Sequence, residues 1–259
     1  MTVDPAAGPA PRRSGWYARP EAPPLQLRHP PRLASWDRAG QPAQVRLATY
    51  LDDVEEILAA ALNATADDPS PLALRLDVGL AASVPLLAEH DLDNYLLPVA
   101  RHLAPRIGPQ LVTVWGTKRH APGSWIRLEA ARPTVPPETP IAPAAQPAGE
   151  CLVEVYTTAS AESAAYKQQI HDQVRVRDLL PEGPVHLEVS FTVGPHRNWL
   201  NLWKPTIDAL DAVLGRTRPD RSWHPRDGRI TELGLHRHHD PTLGHDVAIR
   251  LWAAPSDPS

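Results

Sequence analysis

Ile126-Arg127-Leu128-Glu129-Ala130-Ala131 returns near the end of the chain as Ile249-Arg250-Leu251-Trp252-Ala253-Ala254. A recurrence of this kind is read before any element is assigned, because one pattern written twice decides the architecture. Working outward, Asn94, Pro98 and Leu103 return with unchanged mutual spacing as Asn201, Pro205 and Leu210. Leu76-Asp77-Val78 answers to Leu187-Glu188-Val189, and Leu111-Val112 to Ile230-Thr231. In chain order the copies lie 111, 107, 119 and 123 residues apart. The order of matches never changes, so the length differences fall in the loops between them, where insertions are tolerated.

Each copy reads as the same series of elements. A short strand (residues 25–28; 152–156) precedes an amphipathic helix (about 43–64; about 160–174), in which Val54, Ile57, Leu58, Ala61 and Leu62 keep the three-to-four spacing of a buried stripe. An alternating strand follows, Leu72-Leu74-Leu76-Val78 or Val185-Leu187-Val189-Phe191. Next comes a helix carrying the Asn-x-x-x-Pro match, with Leu200, Trp203, Ile207, Leu210 and Leu214 as the apolar face of its second copy. Two final strands (residues 111–117 with 124–130; 229–236 with 246–252) read as hairpins. The expected fold class is α+β, two tandem halves packed about a pseudo-two-fold axis as a monomeric imitation of a homodimer.

Punctuation sets the boundaries. The chain has 259 residues and 31 prolines, and the prolines concentrate in residues 5–42 and 133–147. The division expected is a disordered Pro-rich tail (1–24), a first half (25–131), a Pro-rich linker (132–149), a second half (150–254) and a short tail (255–259). Cys151 is the single cysteine, which excludes an intrachain disulfide framework and a cysteine-paired zinc. No apolar run resembles a signal-peptide core or a membrane span, so a cytoplasmic protein without a membrane partner is expected. The net charge of −4 excludes a global basic field, and any nucleic-acid contact must be local.

His90-Asp91-Leu92-Asp93-Asn94 opens the second helix of the first half. Two carboxylates one residue apart at a helix mouth suit a hard divalent cation such as Mg²⁺, and equally suit ordinary capping of free N–H groups. The run Asp91-Leu92-Asp93-Asn94, followed by an apolar helix and a strand, resembles the signature of the RusA family of Holliday junction resolvases. That signature is D-x-D-N-x-x-K opening a helix, then D-x-Q at the next strand. The second half is similar in its complementary parts: Asn201-Leu202-Trp203-Lys204 matches N-x-x-K, and Asp227-Gly228-Arg229 stands where D-x-Q is expected.

The resemblance implies a Mg²⁺-dependent endonuclease related to homodimers that act on four-way DNA junctions, with aspartates as metal ligands and a lysine assisting catalysis. Carried onto this chain, the implied metal ligands are Asp91, Asp93 and Asp227, with Lys204 the catalytic lysine. The departures are as informative. In the first half the lysine position is Leu97 and the late aspartate falls near Gly108; in the second, Asn198 and Leu200 replace the early aspartates and Arg229 the glutamine. Neither half holds a whole site. Asp91 and Asp93 with Lys204 and Asp227 would complete one, but symmetry is expected to keep equivalent motifs apart unless they flank the axis. The rival expectation is a catalytically inactive scaffold whose proline stretches engage partner proteins.

Arg216, Arg218, Arg221, Arg226 and Arg229 form the densest basic stretch and, with Asn94 and Asn201, are the candidate contacts to branched DNA. Trp199 and Trp223 are candidates to stack on bases or cover the helix mouth, and Trp203 reads as core. Strand alternation puts His236 and His238 on one face, with His245 within reach across a turn, a possible imidazole metal site that matches no fixed zinc spacing.

Overall fold

The computed structural model describes residues 15–21, 23–34, 40–65, 68–135 and 150–256. Residues 1–14, 136–149 and 257–259, where most of the expected tails and linker fall, lie outside the described residues. In the first half, β1 (Trp16–Tyr17) and β2 (Leu25–Gln26) precede α1 (Pro42–Ala64), β3 (Leu72–Leu80), α2 (Leu92–Ile107), β4 (Leu111–His120) and β5 (Trp125–Ala130). After β6 (Pro133–Thr134), the second half runs through β7 (Cys151–Thr157), α3 (Ala164–Val174), β8 (Val185–Val193), α4 (Trp203–Asp208), α5 (Asp211–Leu214), β9 (Ile230–His239) and β10 (Val247–Pro255). Short 3₁₀ turns at Trp199–Leu202 and Asp227–Arg229 flank α4 and α5.

Local sequence accounts for the helices. α1 starts with Pro42, whose missing N–H costs nothing in a first turn, and buries Tyr50, Val54, Leu58 and Leu62 at four-residue spacing. Ser163 caps α3 by accepting from the Tyr166 amide. The second-half counterpart of α2 is not one helix. It is divided into a 3₁₀ turn, α4 and α5, yet Leu200, Trp203, Ile207, Leu210 and Leu214 are all buried as the periodicity requires.

Eight strands form one sheet in the order β2-β5-β3-β4-β9-β8-β10-β7. Read from either end it is the same list: edge strand, last strand, first parallel strand, second parallel strand. β3 pairs parallel with β4 and β8 with β9, each pair joined by a helical crossover, and both carry a register shift at their first residue, between Leu72/Ala73 and between Val185/His186. β4 and β9 meet antiparallel at the centre with Trp115 opposite Gly234. Those two residues lie 119 apart, the offset already relating Leu111 to Ile230, so they occupy equivalent positions and the pseudo-two-fold axis passes between them. One hydrophobic core runs beneath both halves. The chain is an α+β fold of two tandem halves packed as an intrachain pseudo-dimer.

Three expectations need correcting. The expected hairpins do not form: β3 lies between β4 and β5, and β8 between β9 and β10. The connecting loop instead passes over the end of the middle strand, where Gly79 faces the Gly123 carbonyl and Gly194 faces that of Gly244, leaving no room for a Cβ. The IRLxAA match is offset by two residues from structural equivalence, because Leu72 pairs with Ala130 whereas Val185 pairs with Pro255. A slip of two keeps every side chain on its face, so pattern alone could not reveal it. The tail and linker are also not wholly structureless: β1 and β6 pair, and Trp16 is buried against His236. Among the described residues no helix is long and apolar enough to cross a membrane.

Candidate metal centre

The axis beside Trp115 puts the mouth of α2 next to α4 and the Asp227–Arg229 turn, so residues from both halves converge. Carboxylate oxygens of Asp91, Asp93 and Asp227 all lie within 4.8 Å of one another. Lys204 Nζ stands among them, 2.8 Å from Asp227, 3.8 Å from Asp93 and 4.0 Å from Asp91. The four residues expected to stay apart are brought together, because equivalent motifs that flank the axis face each other across it.

The backbone around the cluster is built to hold it. Glu89 and His90 both adopt positive φ, 57° and 52°, a costly region for residues with side chains, and so turn the chain into Asp91. Asp91 occupies the N-cap position of α2 but its carboxylate makes no capping bond; it accepts instead from Asn94 Nδ2 at 3.0 Å. Asn198, its counterpart in the second half, does cap, accepting from the Leu200 amide. The two mouths have taken opposite uses of one position. Across the axis, Gly228 lies against the backbone of Ala88 and Glu89, where a Cβ would come within 2.9 Å of the Glu89 nitrogen. Lys118, on β4 and almost fully buried, donates to the carbonyls of His90 (3.0 Å) and Gly228 (2.5 Å), tying the two halves together under the carboxylates.

Sequence reasoning missed Lys118, and also Asp208, which lies 3.2 Å from Lys204 and 2.6 Å from Lys167. A lysine in a strand with no motif around it gives no signal; Asp208 was legible only as the residue one helical turn after Lys204.

Charge is crowded here. Burial pushes the Asp93 carboxyl up to about 7, Lys204 opposes the rise, and Asp227 and Asp91 add to it. Asp91 is raised by burial and then by Asp227. Burial alone would lower Lys204, but Asp93, Asp227 and Asp208 more than reverse it, and the ammonium is held charged. Lys118 is brought down to about 8 by burial, which the neighbouring aspartates only partly offset. Lys204 is shared by four carboxylates, of which Asp208 has a second ammonium in Lys167, so Asp91, Asp93 and Asp227 retain a demand for positive charge. Three hard oxygen donors from Asp91, Asp93 and Asp227 fit a divalent cation that prefers oxygen ligands.

The cluster opens into a cleft of about 740 Å³ lined by Asp91, Lys204, Asp208, Trp223 and Asp227. Trp223 itself has a positive φ of 64°, and its Nε1 is buried without a partner. The remaining candidates divide. Arg218 and Arg221 are exposed on the loop beside the cleft, Arg226 pairs with Glu182 at 2.6 Å, and Arg216 pairs with the buried Asp211 at 2.7 Å. Asn201 accepts from Arg101 at 3.1 Å. Arg229 is not a DNA contact: it is 1% exposed, and its guanidinium serves the carbonyls of Leu180, Pro181, Gly183 and Leu214. Trp199 and Trp203 are both buried, their rings packed edge to face 5.0 Å apart.

The imidazole cluster does not converge on a metal. His236 is fully buried between Thr113 and Glu188, and the Gly15 backbone lies against His238. Among the described residues the one group of three or more ligands with metal-holding geometry is Asp91, Asp93 and Asp227.

No protein-family model and no curated protein matches the chain. Among solved structures it is similar to a cyanuric acid hydrolase described as an innovation by structural concatenation, at 10% identity and a TM-score of 0.20. The match covers 77% of this chain and 64% of that one, so the chain spans less than two thirds of that protein.

Proposed function

We propose that this chain is a RusA-like, Mg²⁺-dependent endodeoxyribonuclease of the cytoplasm, with one composite site that binds and cleaves branched DNA. The observation that carries the reading is the convergence of Asp91, Asp93 and Asp227 within 4.8 Å with Lys204 among them, half of the set from each copy of the repeat. A divalent cation held by the three aspartates would polarise a phosphoryl oxygen and activate a water for in-line attack. Asp93 is nearly buried and backed by α2, which fixes its direction. Lys204 keeps a third of its side chain exposed and so faces the cleft, where it can meet a phosphate oxygen. Arg218 and Arg221 on the adjoining loop suit contacts to the flanking backbone.

One observation favours the rival reading of an inactive scaffold: Lys204 already supplies the aspartates with a cation, so the cluster holds together without a metal. Incubation with a synthetic four-way junction separates the two. Under the nuclease reading Mg²⁺ supports incision, and Asp93→Asn lowers it by roughly 100-fold or more. Lys204→Met should leave the carboxylates mutually repelling, lower stability by about 2 kcal/mol without metal and recover part of that loss when Mg²⁺ is added. Absence of incision together with a Lys204→Met melting temperature indifferent to Mg²⁺ would leave the scaffold.

A further inference from the structure

The cleft of the metal centre has a symmetry mate. Moving along the repeat by 107 residues carries Asp91 to Asn198 and Asp93 to Leu200, and moving by 119 carries Asp227 back to Gly108 and Lys118 to Arg237. These counterparts border one cleft of about 580 Å³, formed by the end of α2 and the loop before the Trp199–Leu202 turn. The correspondence extends to single bonds: as Lys118 donates to the Gly228 carbonyl, Arg237 donates across the axis at 2.5 Å to that of Pro109, the residue equivalent to Gly228.

The chemistry of this second cleft is inverted. The counterparts of Asp91, Asp93 and Asp227 are an amide, an alkyl group and glycine, whereas Arg197, Arg237, His196 and His239 line the walls. Among the described residues neither arginine has a carboxylate partner. Arg237 stacks over Trp199 with its guanidinium carbon 5.8 Å from the ring centre and makes its hydrogen bond to a backbone carbonyl. Arg197 donates one Nη2–H to the Ala159 carbonyl, and its Nε is buried without a partner. Two half-buried guanidinium groups held by neutral contacts leave positive charge without compensation, which is costly in a protein unless an anion completes the site. Guanidinium forks pair with phosphate oxygens in the geometry such an anion needs.

We propose that the second cleft is a phosphate-binding site, taking a phosphate group between Arg197 and Arg237 with Asn198 and His239 at its rim. A nucleic-acid backbone as the source of that phosphate rests on the nuclease reading above; the phosphate chemistry itself does not.

Calorimetric titration of the full chain, with EDTA present so that the metal centre takes no part, tests the site with two probes: inorganic phosphate and a short single-stranded DNA oligonucleotide. Arg197→Gln removes one fork. Asn198→Asp restores a carboxylate while keeping the cap, since Asp and Asn serve equally at that position. Each variant is expected to weaken phosphate binding by at least about tenfold, and Asn198→Asp should do so with its melting temperature unchanged. Binding of both probes, lost in both variants, assigns a backbone phosphate. Binding of inorganic phosphate alone, again lost in both, assigns a free phosphate. No heat with either probe, or affinities untouched by both substitutions, overturns the site. Asp93→Asn should leave the titration unaffected, so a failure of junction cleavage and a failure of this cleft are read independently.

Discussion

Glu188 on β8 accepts from His236 Nε2 at 3.2 Å and lies 3.2 Å from His186 Nε2, while His236 meets the Thr113 hydroxyl at 2.9 Å through its other nitrogen. Burial alone would raise Glu188, but the two imidazoles beside it more than reverse that and hold the carboxyl at about 2, against an ordinary 4.5. His236 is pulled below its ordinary range by burial, so at neutral pH it is uncharged and donates to Glu188 from Nε2 while Nδ1 accepts from Thr113. The folded carboxyl is the stronger acid, and between those two values the unfolded chain holds more protons. The resulting stabilisation is complete above about pH 5 and disappears as pH falls toward 2, a loss of about 3 kcal/mol. Urea titrations from pH 7 to 3 should show that decline, and Glu188→Gln should flatten it; an unchanged slope in the variant would assign the acid sensitivity elsewhere. The sequence placed His236 and His238 on one strand face, which holds, but Glu188 lies 48 residues from His236 and only strand pairing brings them together. Arg229 shows the same limit in reverse, since an arginine in a basic run carries no mark that its head will be buried among carbonyls.

Elements were legible wherever one period governed the segment. α1 runs from Pro42 to Ala64 where the stripe predicts 43–64, and β3 and β8 bury their alternating sets, because burial on one face repeats along the chain. What could not be read was the passage between elements. Four-residue and longer loops after β4 and β9 look like hairpin turns, and nothing local says that they step over a middle strand. The Asp227–Arg229 turn is the functional case. Its approach to Glu89 depends on Gly228, and the atoms that a new Cβ would meet at 2.9 to 3.2 Å are backbone atoms that have no rotamer to yield. Gly228→Ala should therefore lift this turn, carrying Asp227 away from Asp91 and Asp93. A loss of stability of about 1–3 kcal/mol is expected from the overpacking, with Mn²⁺ or Mg²⁺ binding weakened by at least about tenfold. Metal titration of the folded variant decides it: wild-type affinity would mean that Asp227 reaches the cluster without this contact.

At the scale of the whole molecule, duplication within one chain frees each half from carrying a complete site. In a homodimer any substitution appears twice, so an aspartate lost from one mouth is lost from both. Here Asp91 and Asp93 stand in the first half against Asn198 and Leu200 in the second, and Lys204 stands in the second against Leu97 in the first. Because the axis sets each mouth against the other half's crossover helix and late turn, these differences give one cleft all four residues and the other none of them. All four residues are plain in the sequence, but the axis through Trp115 and Gly234 that unites them exists only in the paired sheet. Under the proposed activity, a single complete site delivers one incision per encounter, whereas a symmetric dimer delivers two within one bound lifetime. A supercoiled plasmid extruding a cruciform distinguishes these outcomes, since one incision relaxes the circle and releases the torsion that maintains the junction. Nicked circles should accumulate with no linear product formed at a comparable rate. Linear molecules appearing from the earliest times would require a second cutting centre, and the cleft bordered by Asn198, Leu200 and Arg237 holds no carboxylate from which to build one.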